Sequence, residues 1–118
     1  MTALIVEDAI PMTIVLEHTL KEIGLDVIGK AATGEEAIKL AVEHEPDIIT
    51  LDTVLPDIIG IEVLKQIREK GVKAKVIFIS AAGSHSLIDQ AMEAGADSYL
   101  LKPINAEKLR EKIEEVKA

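Results

Sequence analysis

Short apolar runs alternate along the chain with segments in which apolar residues recur every three or four positions. The short runs have the length of buried strands, and the spaced segments have the period of amphipathic helices. Five strands are predicted on this basis, at residues 3–6, 27–28, 48–51, 76–79 and 99–101. A helical pattern follows each run, so we expect five consecutive strand–helix units.

Start and stop signals divide these units. The first helix opens at Pro11, which suits a first helical turn, and ends at Gly24. The second begins at Thr33, with Glu36 at the spacing of a capping box, and stops at Pro46. The later helices are bounded by Gly71, by Gly95 and, at the start of the last helix, by Asn105.

The predicted strands are almost continuously apolar, which is typical of a parallel sheet buried between helices. Five strand–helix units in a short chain favour an α/β fold with a doubly wound, five-stranded parallel sheet. Only two aromatic residues occur, Phe78 and Tyr99, so the core must consist of Ile, Val, Leu and Ala. We find no linker, repeat or low-complexity segment, and expect residues 1–118 to form one domain.

Composition excludes several classes of function. The 118 residues carry 13 Lys and Arg against 21 Asp and Glu, a net charge of −8, which argues against binding nucleic acid or an anionic membrane. Without cysteine there is no thiolate nucleophile, disulfide or Cys-ligated metal. His18, His44 and His85 lack metal-motif spacing. No apolar run approaches the ~20 residues of a membrane span, so we expect a cytoplasmic protein.

Polar residues stand at the ends of four of the five predicted strands. In chain order they are Glu7 and Asp8, Asp52, Ser80 and Lys102. In open parallel sheets, ligands bind beyond the carboxyl ends of the strands, where the strand order reverses. With the order 2-1-3-4-5, Asp8 and Asp52 would face each other across that crevice. Ser80 and Lys102 would lie alongside.

Such a cluster has a definite chemistry. Three converging carboxylates repel one another and raise at least one pKa unless a cation joins them. Oxygen ligands alone favour Mg²⁺ over zinc or copper. Together with the ammonium of Lys102 and the hydroxyl of Ser80, these are the groups needed to place a phosphoryl group on an aspartate.

Taken one by one, the same residues have explanations that need no function. Asp8 could cap the first helix, Asp52 could be an ordinary loop acid, and Glu7 alone would be solvated. Considered alone, Ser80 is typical of a turn, Lys102 of the protein surface and Tyr99 of the core. The functional interpretation rests on their common position at one edge of the sheet.

Two segments carry a family resemblance. The runs Leu-Ile-Val-Glu-Asp at 4–8 and Tyr-Leu-Leu-Lys-Pro at 99–103, with Asp52 and Ser80 between them, resemble the receiver domain of two-component response regulators, most of all a stand-alone CheY-like receiver. The resemblance covers essentially the whole chain. It implies the flavodoxin-like fold with strand order 2-1-3-4-5. It also implies that Asp52 accepts a phosphoryl group from a histidine kinase.

The resemblance also implies individual roles. Mg²⁺ would be held by Glu7, Asp8, Asp52 and the backbone carbonyl of Val54. Ser80 and Lys102 would bind the phosphoryl oxygens, and the Lys102–Pro103 peptide bond would be cis. On phosphorylation the Ser80 hydroxyl would move toward the new group and let the Tyr99 ring turn inward. That movement would change the surface formed by the fourth helix, fifth strand and fifth helix.

Partners and context follow from the same resemblance. It implies a monomeric switch rather than an enzyme, with a CheA-like histidine kinase as phosphodonor in chemotaxis. The output would be a flagellar motor, an archaellum adaptor or a phosphatase protein. The chain ends at Lys117-Ala118 without a linker, which favours a free-standing module. A receiver cut from a larger response regulator or hybrid kinase is the main alternative.

Two further classes fit less well. An aspartyl-phosphate phosphatase would need a second Asp two residues after Asp52, where Val54 stands. A flavin or nucleotide carrier would need a Gly-rich phosphate loop after the first strand, where Glu7-Asp8 stands.

The chain departs from the receiver pattern at three positions: Glu7 for an Asp, Ser80 for the commoner Thr, and Ile59 where an Asp often precedes the glycine. Val54 and Ala82 would flank the phosphoryl group with apolar side chains. Because such side chains cannot position water, we expect slow self-dephosphorylation.

Overall fold

The computed structural model describes residues 1–81 and 85–117, in which strands and helices alternate. The strands are β1 (Thr2–Val6), β2 (Asp26–Ala31), β3 (Ile48–Asp52), β4 (Lys75–Ser80) and β5 (Ser98–Leu101). The helices are α1 (Ile10–Glu22), α2 (Gly34–His44), α3 (Gly60–Glu69), α4 (His85–Glu93) and α5 (Ala106–Lys117).

The strands form one parallel sheet in the order β2-β1-β3-β4-β5, which confirms the predicted fold class and strand order. The order reverses between β1 and β3. Val6 is paired with Leu51 there, and Asp52 is paired with Ile79 on β4. Ser80, the last residue of β4, is paired with Leu101 at the end of β5. The carboxyl ends of these strands therefore meet at one edge.

Alternate residues of each central strand enter two separate cores. On β1, Ala3 and Ile5 face α1 and α5, whereas Leu4 and Val6 face α2, α3 and α4. The α1 and α5 side is filled from the helices by Leu16, Leu20, Leu109, Ile113 and Val116. The opposite side is filled by Ala37, Ala41, Ile61, Val63, Leu64, Ile67 and Ala91. Both faces of the central strands are thus covered, as their apolar runs predicted.

Two predicted helix caps are confirmed. Thr33 precedes α2, and its hydroxyl oxygen accepts a hydrogen bond from the Glu36 N–H at 3.1 Å. The Glu36 side chain accepts in return from the Ala32 N–H at 3.0 Å, one residue before the cap. At the last helix, the Asn105 side-chain oxygen accepts from the Lys108 N–H at 2.8 Å. These bonds satisfy amide groups that a helix start leaves without partners.

The structure differs from the predicted elements at the sheet's edge. The strand predicted at residues 27–28 extends over Asp26–Ala31, because backbone pairing with β1 continues past the apolar pair through Gly29 and Lys30. An edge strand is half exposed, so its side chains need not form the continuous apolar run by which the other strands were predicted. On α4, Ile88 and Ala91 are buried, whereas Met92 is exposed.

None of the helices in the described part of the chain combines the length and apolarity that crossing a bilayer requires.

Thr50, in the middle of β3, is fully buried, and its hydroxyl has no hydrogen-bond partner within the described residues. An unsatisfied buried hydroxyl costs about 1–3 kcal/mol. We therefore expect Thr50→Val, which replaces the hydroxyl by a methyl group, to raise the free energy of unfolding by about 1 kcal/mol. Urea denaturation followed by circular dichroism measures this change.

Thr13→Val is the matched control, because the buried Thr13 hydroxyl donates to the Ile10 carbonyl at 2.7 Å. That variant loses a hydrogen bond and should not gain stability. A Thr50→Val protein that unfolds at lower urea than the parent would show that the hydroxyl is satisfied in solution.

Candidate functional site

Three carboxylates converge at the edge where β1 and β3 end. Glu7 and Asp8 follow β1, and Asp52 is the last residue of β3. One oxygen from each lies within 4.8 Å of the others. Asp8 is exposed, whereas Glu7 and Asp52 are only 3% and 4% exposed. Two of the three carboxylates are thus buried, and the third is exposed to solvent.

Hydrogen bonds with the backbone hold Glu7 in its buried position. Its N–H donates to the Ala31 carbonyl at 2.9 Å, so residue 7 still follows the line of the sheet. One carboxylate oxygen accepts from the Ala9 N–H at 3.1 Å, and the other, Oε1, is buried without a partner among the described residues. Burial, reinforced by the charge of Asp52, raises the pKa of Glu7 to about 7 against the pull of the Ala9 hydrogen bond. The prediction that Glu7 alone would be solvated is wrong.

Asp8 does not act as a helix cap. The residue at the cap position of α1 is Ala9, whose side chain offers no oxygen, and no side-chain cap bond forms there. The alternative explanation of Asp8 as an N-cap is therefore wrong. Its carboxylate is left exposed beside the two buried ones.

Lys102 supplies the positive charge at this edge. Its Nζ lies 2.9 Å from Oδ1 of Asp52, and its backbone N–H donates to the Ser80 carbonyl at 2.7 Å. Burial lowers the pKa of Lys102, but hydrogen bonding and attraction to Asp52, with the charges of Glu7 and Asp8, outweigh burial and raise it overall. The Lys102–Pro103 peptide bond is cis, as predicted.

Ser80 and Tyr99 lie on the neighbouring strands. Ser80 is fully buried at the end of β4, and its hydroxyl donates a long hydrogen bond, 3.4 Å, to the Ala81 carbonyl. Tyr99 on the edge strand β5 is 37% exposed, so the explanation of Tyr99 as core packing is wrong. The ammonium of Lys112 on α5 lies 5.2 Å from the centre of its ring. Sequence patterns gave no signal for this contact, which joins two elements.

The loop after Asp52 closes tightly behind it. The Gly60 N–H donates to the Thr53 carbonyl at 2.7 Å, and Val54 pairs with Ile59 in an isolated antiparallel bridge. A Cβ at Gly60 would overlap the carbonyl oxygen of Asp52, so only glycine fits there. Val54 itself is 66% exposed. Ala82, the other predicted apolar neighbour of the phosphoryl group, lies outside the described residues.

The donor set suits a hard divalent cation. It consists of carboxylate oxygens, and one of them, Oε1 of Glu7, is buried and unpaired within the described residues. A single ammonium cannot offset three carboxylates, whereas a dication bound by oxygen would do so. Asp52, buried between such a site and Lys102, is placed to act as a nucleophile toward a phosphoryl group.

The family model described as the response regulator receiver domain matches residues 3–114, a span that contains every site residue named above. The chain belongs to this family.

Individual receiver domains are similar over nearly the whole chain. The chemotaxis protein CheY of Listeria monocytogenes is 38% identical over 94% of this chain and 93% of its own. The crystal structure of the CheX-CheY-BeF3-Mg²⁺ complex from Borrelia burgdorferi superposes with a TM-score of 0.94 at 33% identity, covering 99% of this chain and 89% of that one. The transcriptional regulatory protein PdtaR of Mycobacterium tuberculosis is 34% identical over 94% of this chain but 54% of its own. This receiver domain thus resembles both a protein of its own length and part of a longer regulator.

The raised pKa of Glu7 predicts a pH-dependent stability of this receiver domain in the presence of a chelator. Between about pH 4.5 and 7 the folded protein keeps a proton on Glu7 that the unfolded chain releases, so the free energy of unfolding falls as pH rises. Glu7→Gln stays neutral and should lose this dependence. We expect it to match the parent near pH 4.5 and to exceed it by about 1–3 kcal/mol at pH 8, by urea denaturation.

Glu93→Gln is the control, because Glu93 is an exposed glutamate on α4. Its stability relative to the parent should not change with pH. A difference between parent and Glu7→Gln that is the same at pH 4.5 and pH 8 would contradict a raised pKa at this position.

Proposed function

We propose that this receiver domain is a Mg²⁺-dependent phosphoacceptor switch in which Asp52 takes a phosphoryl group from a phosphohistidine of a histidine kinase. The observation that supports this most is the position of Asp52, which is buried beside Glu7 and 2.9 Å from the Lys102 ammonium. Nucleophile, acidic cation site and fixed positive charge are thus together.

The chemistry needs little from the protein beyond placement. A carboxylate oxygen of Asp52 forms the new bond to phosphorus as the phosphorus–nitrogen bond breaks, and the bonding pair returns to the ring nitrogen of the donor. Mg²⁺, held by Glu7, Asp8, Asp52 and the Val54 carbonyl, would supply positive charge for the carboxylates and phosphoryl oxygens. Lys102, whose ammonium lies 2.9 Å from Oδ1 of Asp52, adds a second positive charge. The product is an acyl phosphate on Asp52.

The added group would act on Ser80 and Tyr99. Phosphorylation adds about −1.5 to −2 charge and three strong acceptor oxygens. The Ser80 hydroxyl, whose present bond to Ala81 is long, can exchange that acceptor for a phosphoryl oxygen. Tyr99 would then leave Lys112 and turn inward, which changes the surface of α4, β5 and α5. Phosphorylation would shift the balance between two existing arrangements.

We infer a role as a signalling module rather than as an enzyme, because Asp52 is itself the group modified. The similarity to CheY proteins favours chemotaxis, with a CheA-like kinase as donor. The Borrelia relative in complex with CheX favours a protein as the output partner, such as a phosphatase, motor or adaptor protein. The match to one part of PdtaR supports a second setting, as the receiver of a longer regulator.

Phosphorylation by a small donor tests the central proposal. Incubation with acetyl phosphate and MgCl₂ should add one phosphoryl group, seen by intact mass spectrometry, and the product should be labile to hydroxylamine as an acyl phosphate is. Asp52→Asn, which removes the nucleophile, should gain none. Omission of Mg²⁺ should reduce the yield strongly.

Asp26→Asn is the matched control, because Asp26 is an exposed aspartate at the start of β2, the opposite end of the sheet. It should be phosphorylated like the parent. Equal labelling of the Asp52→Asn protein would refute the assignment of the phosphoacceptor.

The exposed apolar side chain of Val54 predicts a long-lived acyl phosphate, since it cannot hold an attacking water. Val54→Asn places an amide there, and we expect the phosphoryl group to decay several-fold faster, well below the ~100-fold that a full general base contributes. The decay is followed by intact mass after the donor has been removed.

Ile59→Asn is the control for surface polarity, because Ile59 is 60% exposed and pairs with Val54 across the loop. Its acyl phosphate should decay at the parent rate. If Val54→Asn also decays at that rate, an apolar neighbour does not limit the reaction.

A further inference from the structure

The tip of the loop between β3 and α3 is anchored to a distant helix. Its base, at Val54 and Ile59, closes on itself, and its tip comprises residues 55–58. The Asp57 carboxylate accepts two hydrogen bonds, from the Gly34 N–H at 2.7 Å and from the Glu35 N–H at 2.9 Å. Both donors belong to the first turn of α2. Within the described residues, no other hydrogen bond joins this tip to another element.

The contact is close and charge-assisted. The two amide groups lower the pKa of Asp57, so its carboxylate is ionised at the positive end of the helix dipole. Beside it, the Ile58 side chain covers Gly34 so closely that a Cβ on Gly34 would overlap it. The tip is therefore fitted to this helix start both by polar and by apolar contacts.

The same helix start is tied to the acidic site. The Ala31 carbonyl, three residues before Gly34, accepts from the Glu7 N–H at 2.9 Å. A path of contacts thus runs from Glu7 through the start of α2 to Asp57, and then along the loop to Val54. It links the two sides of the pocket from which cation ligands would come.

We propose that Asp57 is a positioning residue for the cation site. Its two hydrogen bonds to the first turn of α2, called the clamp below, hold the loop so that the Val54 carbonyl stays in place relative to the carboxylates of the site. This inference rests on the proposed Mg²⁺-dependent function. Thr33 caps α2 only through the Glu36 N–H, so Asp57 also satisfies the Gly34 and Glu35 N–H groups of this helix start. The same two hydrogen bonds join the loop to α2, and an effect on Mg²⁺ binding beyond that of losing a cap belongs to the loop.

Direct titration with Mg²⁺, in the absence of any phosphodonor, tests the clamp. Asp57→Ala should raise the dissociation constant for Mg²⁺, measured by calorimetry or by NMR shifts of the pocket amides, by about tenfold, the lower end for residues that orient metal ligands. Asp57→Asn keeps one acceptor oxygen and should show a smaller rise.

Thr33→Ala is the matched control. It removes the side-chain cap from the same helix start, at a cost of about 1 kcal/mol, without touching the loop. Its Mg²⁺ affinity should equal that of the parent. Equal losses of Mg²⁺ affinity in Thr33→Ala and Asp57→Ala would show that Asp57 acts only by stabilising the start of α2, which would overturn the proposal.

Gly34→Ala approaches the same contact from the other side. Alanine favours a helix more than glycine does, but the new Cβ would overlap the Ile58 side chain at the loop tip and also the buried Val63 side chain on α3. We expect weaker Mg²⁺ binding, and thermal unfolding is measured on the same variant because Val63 lies in the core. Parent-like affinity in both Gly34→Ala and Asp57→Ala would contradict the proposal.

The kinetics of phosphorylation provide a second readout. In Asp57→Ala the Mg²⁺ concentration for half-maximal phosphorylation by acetyl phosphate should rise, while the rate at saturating Mg²⁺ should recover, because the nucleophile is untouched. If the parent neither binds Mg²⁺ nor becomes phosphorylated, the proposed function fails. If the parent does both and Asp57→Ala behaves identically, the clamp alone is refuted.

Discussion

Glu7 and Asp52 are buried beside an exposed Asp8, and the Lys102 ammonium is the positive charge set against them. Carboxylates buried in this way lose solvation and repel one another, and both effects raise the pKa of Glu7. Either a proton on Glu7 or a bound dication would reduce the repulsion among the carboxylates. Only the dication would leave every carboxylate ionised, including that of Asp52.

The sheet creates this imbalance through its topology. β1 and β3 are adjacent, parallel and covered on both faces, so the residues that follow them leave the core at the same edge. Glu7 and Asp52, which lie at this edge, are buried by the aliphatic layers on either side. The tight loop closed by Gly60 then keeps the chain after Asp52 against the pocket. A rigid apolar core is therefore what allows charged groups to be held so close together.

Side-chain periodicity was sufficient to predict the alternation of elements, the parallel sheet and the strand ends at which Asp52, Ser80 and Lys102 stand. Periodicity did not predict features that depend on backbone hydrogen bonding or on the position of a strand in the sheet. The length of β2 depends on pairing with β1, and the burial of Glu7 depends on a hydrogen bond to Ala31. The exposure of Tyr99 follows from the position of β5 at the edge of the sheet.

Contacts between remote segments were beyond such patterns altogether. Pro56-Asp57 reads as an ordinary turn, and no periodicity indicates that the Asp57 carboxylate meets the start of a helix 22 and 23 residues earlier. The partner of a turn aspartate is fixed only when the chain has folded. Residues that position a site are for this reason harder to predict from sequence than the residues that form it.

The strength of the Tyr99 contact bears on how such a site could signal. A partly exposed cation–π pair such as Lys112 with Tyr99 contributes about 0.5–1 kcal/mol. A contact of this size holds the ring outward only weakly, and each 1.4 kcal/mol of bias changes a two-state ratio about tenfold. A ring buried in the core would need far more energy to move. An edge strand, with its side chain held outward by one weak contact, is where a single added charge on Asp52 would have a large effect on the surface.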